Sequence, residues 1–107
     1  MQLHKFQETH EIRTIVINDE PWFLAMDVCK VLGLTHVTWA VNGLDPDEKS
    51  TCSRTTLGLK PGKPMIIINE SGLYALIVRS DKLEAKPFRK WVTSEVLPMI
   101  HGQSDQD

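Results

Sequence analysis

Cysteine is scarce in this chain of 107 residues: Cys29 and Cys52 permit at most one disulfide, so no cross-linked scaffold is available. Cys29 falls where a helix core residue is expected, and a free thiol packs there as a small hydrophobe. Reduced thiols and a cytoplasmic setting are the expectation. Long hydrophobic runs are missing too. Runs such as Met65 to Ile68 are far too short to cross a bilayer, and the N-terminus, with His4, Lys5 and Glu8, lacks a signal-peptide core. The four histidines, His4, His10, His36 and His101, lack the close pairing that zinc sites use, so no metal is assigned. No G-x-S-x-G elbow surrounds Ser71, and Gly58, Pro61 and Gly62 do not make a phosphate loop. No catalytic residue and no cofactor follow from these patterns, and an enzyme is not expected. Internal repeats and low-complexity stretches are absent as well.

What is present suits one globular domain, expected over residues 1–100 with a polar, frayed tail at 101–107. The chain is 41% hydrophobic and 24% charged, too apolar for disorder and long enough for a single core. The formal charge of −2 hides an asymmetry. Residues 1–53 hold four Lys/Arg against eight acids, whereas residues 54–95 hold eight against four. A surface of that kind attracts phosphate or an acidic partner, although scattered solvated lysines are the bland alternative.

The patterning predicts an α+β fold of about five short strands and four helices. Strands are expected at 3–9 and 11–18, with 12–24 forming a hairpin around Asn18-Asp19. Val28, Val31 and Leu32 then take helical spacing after Asp27, and Gly33 ends that helix. Thr35 is the expected N-cap of a second short helix that buries Val37, Ala40 and Val41. Residues 50–57 alternate as a half-exposed strand. Gly58, Pro61, Gly62 and Pro64 form a loop tip, and Met65 to Ile68 return as a buried strand. Asn69 or Ser71 caps a third helix with Leu73, Leu76 and Ile77 inward. Asp81 and Glu84 have the form of a capping box for the last helix. There Phe88, Trp91, Val92 and Val96 face the core, Pro87 fits the first turn, and Pro98 is expected to kink or end the helix near Leu97.

The helix, glycine turn and helix at 26–42 admit a helix-turn-helix reading. The second helix would then offer Thr35, His36, Thr38, Trp39 and Asn42 to a major groove. None carries a permanent charge, and Asp45, Asp47 and Glu48 follow closely. Two helices simply packed in the core are at least as well supported. The candidate nucleic-acid surface lies further on: Arg54, Lys60, Lys63, Arg79, Lys82, Lys86, Arg89 and Lys90. A solvated helix face is the competing reading for it. Trp22 and Trp91 fit apolar faces and are assigned to the core. Trp39 lies one position off the Val37/Ala40/Val41 stripe, so Trp39 with His36 is the candidate protein-binding anchor; a half-buried rim residue is the alternative.

Three ordered groups of residues carry a family likeness. The first is Trp22-Phe23 with Asp27-Val28 and Leu32-Gly33. The second is Asn69-Glu70-Ser71-Gly72-Leu73-Tyr74 with Leu76-Ile77. The third is Phe88, Trp91-Val92 and Glu95-Val96-Leu97-Pro98. Asp47-Glu48-Lys49, Ser80 and Ala85-Lys86 fall between them. In this order the chain resembles the Bro-N domain of phage antirepressors and baculovirus BRO proteins. The resemblance implies an α+β module in a phage or prophage transcriptional regulator, associated with DNA and with control of lytic or lysogenic expression. With the 54–95 basic surface, it makes direct DNA contact the first expectation; the alternative is antirepressor action that holds a phage or host repressor without touching DNA. A homodimer would suit such a regulator. Most shared positions are apolar or turn-forming, so they define a fold and not a site. No basic residue sits in the second helix of the 26–42 pair, which departs from a base-reading role.

Overall fold

The computed structural model describes residues 1–101, and the expected frayed tail, from 102 on, lies outside them. Strands β1 (Gln2–Phe6), β2 (His10–Ile17) and β3 (Glu20–Leu24) form an antiparallel meander. The second hairpin closes on Asn18 and Asp19, with φ of 53° and 65°. Two consecutive left-handed residues make the turn type whose twist matches paired strands, and Asn and Asp tolerate it best. The first hairpin places Gln7 and Glu8 in the same region, which ends β1 at Phe6 and not at residue 9.

After the helical segment described below come β4 (Lys49–Cys52) and β5 (Met65–Asn69). The five strands lie in the order β1-β2-β3-β5-β4, all neighbours antiparallel. Pairing Thr14 with Phe23 and Phe23 with Ile68 sends these side chains to one face. Leu24 with Ile67, and Cys52 with Met65, send theirs to the other.

The first face, with Phe6 and Ile12, packs beneath every helix and holds the main core. Helix α1 (Ala25–Leu32) leaves β3 without a linking loop and ends at Gly33, whose φ of 71° is the left-handed stop expected there. Helix α2 (Val37–Asn42) buries only Ala40 and Val41. Thr35 does not cap it: His36 occupies the cap position, and no side chain accepts a first-turn N–H. Helix α3 (Glu70–Arg79) is capped by Asn69, whose Oδ1 accepts the Gly72 N–H at 2.9 Å.

The last helical rod runs through α4 (Ala85–Trp91), a π-helical turn at Val92–Val96, and α5 (Leu97–His101). The capping box of Asp81 and Glu84 does not form; Ser80 Oγ takes the Lys82 N–H instead. Pro98 does not end the helix either. The widened turn, in which Leu97 N–H reaches Val92, resets the ladder just before the proline. The Arg89 and Lys90 carbonyls there accept from the Thr93 and Ser94 hydroxyls. Phe6 meets Phe88 and Trp91 with centroids 5.3 and 5.1 Å apart, fastening this rod over β1.

The second face is covered near β4 and β5 by the loop at 53–64, which seats Leu57 and Leu59 on Leu24, Met65 and Ile67. The strand expected at 50–57 stops at Cys52. Ser53 Oγ turns back to accept the Thr56 N–H at 3.2 Å, and Leu57 and Leu59 N–H both bond to Arg54 carbonyl oxygen. The Thr-rich alternation is a hydroxyl-stabilised turn with Leu57 buried beneath it.

Candidate functional site

Trp39 is 75% exposed although its neighbours Ala40 and Val41 are in the core. Its indole leans on the His36 imidazole, centroids 5.4 Å apart, so an aromatic pair stands on the outer side of α2. The surrounding corner is held from three directions. Arg79 donates from Nη1 to the Ala40 carbonyl at 2.7 Å, Ser80 donates from Oγ to the Leu32 carbonyl at 2.8 Å, and the Lys82 stem lies over Gly33. A shallow hollow of about 260 Å³ lies between Gly33, Thr35, His36, Trp39 and Arg79. The tilted ring pair therefore sits on a braced platform, with cationic side chains beside it and a depression next to it. Exposed tryptophans are enriched among the hot spots of protein interfaces.

The eight cations expected to form one basic surface fall into three groups. Arg54, Lys60 and Lys63 lie on the 53–64 loop, over the second sheet face at the β4–β5 end. Lys86, Arg89 and Lys90 are exposed on α4, over the first face and beside β1 at the opposite end. Arg79 and Lys82 brace the α2 corner. Several also have structural partners: Arg54 Nε donates to the Lys63 carbonyl at 2.9 Å, and the Arg89 guanidinium lies 5.9 Å from the Tyr74 ring centre. The fold thus sets the loop cations and the α4 cations at opposite ends of the sheet and over opposite faces. Lys86, Arg89 and Lys90 remain as one outward stripe, spaced to lie on a single helix face.

The first two helices pack as a pair, but α2 spans only six residues and turns Thr38, Trp39 and Asn42 to solvent without a cation among them. Trp22 and Trp91 pack at the margins of the two cores. Among the described residues, no three His, Cys, Asp or Glu side chains are placed to share a metal ion. Cys29 and Cys52 are both buried and unpaired, and burial raises the Cys29 thiol above its ordinary range. No helix among the described residues is long and apolar enough to cross a membrane.

The shared motif residues are explained by packing. Asn69 donates from Nδ2 to the Asp47 carbonyl while capping α3. Ser71 donates to the Glu48 carboxylate, and Glu48 also accepts the Asp45 N–H. These bonds hold Glu48 below the usual carboxylate range. Gly72 lies so close to the Glu48 carbonyl that a Cβ would approach it to 2.8 Å. The Asn-Glu-Ser-Gly run is thus a clasp for the Asp-Glu-Lys turn at 47–49. Two features escaped the sequence. One is a charged cleft of about 380 Å³ lined by Lys5, Glu8, His10, Glu11, Arg13, Asp27 and Lys30. The other is the outer edge of β4, which has no strand partner among the described residues. Both depend on strand order, and neither leaves a local signal.

The BRO family, N-terminal domain, matches residues 11–98. This chain belongs to that family. A protein of Haemophilus influenzae, described only as uncharacterized, is 41% identical over 81 residues, covering 76% of this chain and 40% of the relative. Bro-N domain-containing proteins of Invertebrate iridescent virus 6 and Invertebrate iridescent virus 3 are 32% and 31% identical. Each alignment covers 87% of this chain, but only 26% and 28% of the viral proteins. The chain therefore spans less than half the length of the relatives it matches. No solved structure matches the Bro-N chain.

Proposed function

We propose that this Bro-N domain serves a phage- or virus-type gene regulator by holding another protein, in the manner of an antirepressor, with Trp39 and His36 as the anchor. One observation supports this reading above others: a tryptophan 75% exposed on a helix whose other side is locked into the core. Leaving so large an apolar ring in water has a cost that a partner's burial would recover. The likeness to antirepressors makes a repressor the natural partner class.

Direct DNA contact is the second reading, and it rests on the Lys86, Arg89 and Lys90 stripe. With the loop cations at the other end of the sheet, that stripe supports a weak phosphate contact without base reading. A photo-crosslinking residue placed at position 39, or at position 90, separates the two in cells carrying the native regulatory region. Adducts to a DNA-binding repressor from position 39 support the proposal. Adducts to nucleic acid from both positions, with none to protein, overturn it.

A further inference from the structure

Strand β4 ends the sheet, and its outer edge is open. Among the described residues, no backbone group of Lys49–Cys52 bonds to anything but β5. An open edge is a template for another strand, and small folds usually block it with charge, proline or a cover. Here the edge carries Lys49, whose Nζ turns back to donate to the Val41 carbonyl at 3.0 Å, and the exposed Ser50 and Thr51, which do not block it. Behind it lies an apolar groove of about 390 Å³ between α2 and the sheet, lined by Thr38, Val41, Asn42, Thr51 and Ile66.

The two ends of this edge carry opposite charge. Asp45, Asp47 and Glu48 precede the strand directly. Arg54 follows it, with Lys63 tied alongside by the Arg54 bond to the Lys63 carbonyl. A strand added parallel to β4 from an identical chain would set like charge against like. A strand added antiparallel about a two-fold axis sets each acidic end against the other copy's basic end. Centred on Thr51, that pairing puts Ser50 opposite Cys52 and brings the acidic turn before β4 of each copy to the end where Arg54 and Lys63 of the other lie. Two threonines then face each other at the axis, a favourable cross-strand pair.

We infer that the β4 edge is a self-association surface, and that two copies of this chain join antiparallel through it into one continuous ten-stranded sheet. The interface is short, so the dimer forms reversibly and depends on concentration and salt. This inference stands apart from the partner-binding role of Trp39, and its test reads only the oligomeric state.

Sedimentation velocity across a concentration series tests it. The wild-type chain should shift from monomer to dimer as concentration rises. Asp47→Lys alone and Arg54→Glu alone should each weaken association about tenfold or more, because each puts like charges together at both ends. Mixing the two variants should restore it, since the introduced lysine of one copy then lies at the same end of the seam as the introduced glutamate of the other, while the native charges survive at the far end. Thr51→Lys, at an exposed position away from both structural clasps, should abolish association with the fold intact by circular dichroism. A wild-type chain that stays monomeric throughout overturns the inference. So does a dimer indifferent to Thr51→Lys, or a mixture no tighter than its components.

Discussion

Arg13 and Asp27 are joined by three hydrogen bonds. The Asp27 carboxylate accepts the Arg13 backbone N–H at 2.9 Å, and Nε and Nη2 at 2.8 Å each. Regular pairing of β2 with β3 stops at Thr14 and Phe23, so the N–H of the next residue on β2 would lose its partner as the chain turns into α1. Asp27, in the first turn of that helix and 6% exposed, takes the place of the missing strand. Its hydrogen bonds raise the Arg13 guanidinium above its ordinary value. Asp27→Ala should cost about 2–3 kcal/mol in urea denaturation, less than a fully buried pair because Arg13 remains partly exposed. A loss under about 0.5 kcal/mol would show that the pair contributes no more than a surface contact.

Gly72→Ala should destabilise the fold by about 1–3 kcal/mol, against the usual gain from alanine in a helix. The added methyl meets the Glu48 carbonyl, which the Asn69 and Ser71 bonds hold in place. Thermal melts of this variant beside Gly58→Ala make the comparison. Gly58 has open space around it but a φ of 77°, so its cost is conformational and not steric.

Stability should fall as the pH drops through the ordinary histidine range. His4 is buried against Thr14 in β2, with Lys5 and Glu95 lining the adjacent cleft, and burial lowers its proton affinity below the ordinary histidine value of 6.5. The unfolded chain therefore takes up the proton first. The stability due to neutral His4 is complete above about pH 6.5 and is lost as pH falls toward the lowered folded value. Melting temperature should drop between pH 7.5 and 5.5, and His4→Gln should flatten that slope. Glu48 enters only lower, since it is held below an ordinary value of 4.5.

Trp39→Ala should leave the unfolding free energy within about 0.5 kcal/mol of wild type, because the ring is mostly in water. The same change should abolish capture of the protein partner. A large loss of stability would mean that the indole supports the α2 corner and is no anchor.

Much of the architecture was legible because its signals are local. The period change at Asp27, Gly33 as a left-handed stop, Asn18-Asp19 as a tight turn and the Asn69 cap all act through neighbouring residues. The failures arose where a local signal had a non-local competitor. Ser53 could extend a strand, but turning back buries Leu57 beneath the sheet. Pro98 could stop a helix, but a wider turn keeps Val96 and Leu97 in the core. The exposure of Trp39 was legible from its offset against the apolar stripe. The grouping of the cations was not, because strand order decides which end of the sheet each one occupies.

If the eight cations act in separate groups, the domain grips protein better than DNA. The salt dependence of binding to a random duplex tests this most directly, read as the slope of log affinity against log salt concentration. Three phosphate contacts from Lys86, Arg89 and Lys90 predict a slope no steeper than about −3, with weak affinity throughout. A slope near about −7 would mean that all eight neutralise phosphates at once, against the placement of the loop and α4 cations at opposite ends of the sheet.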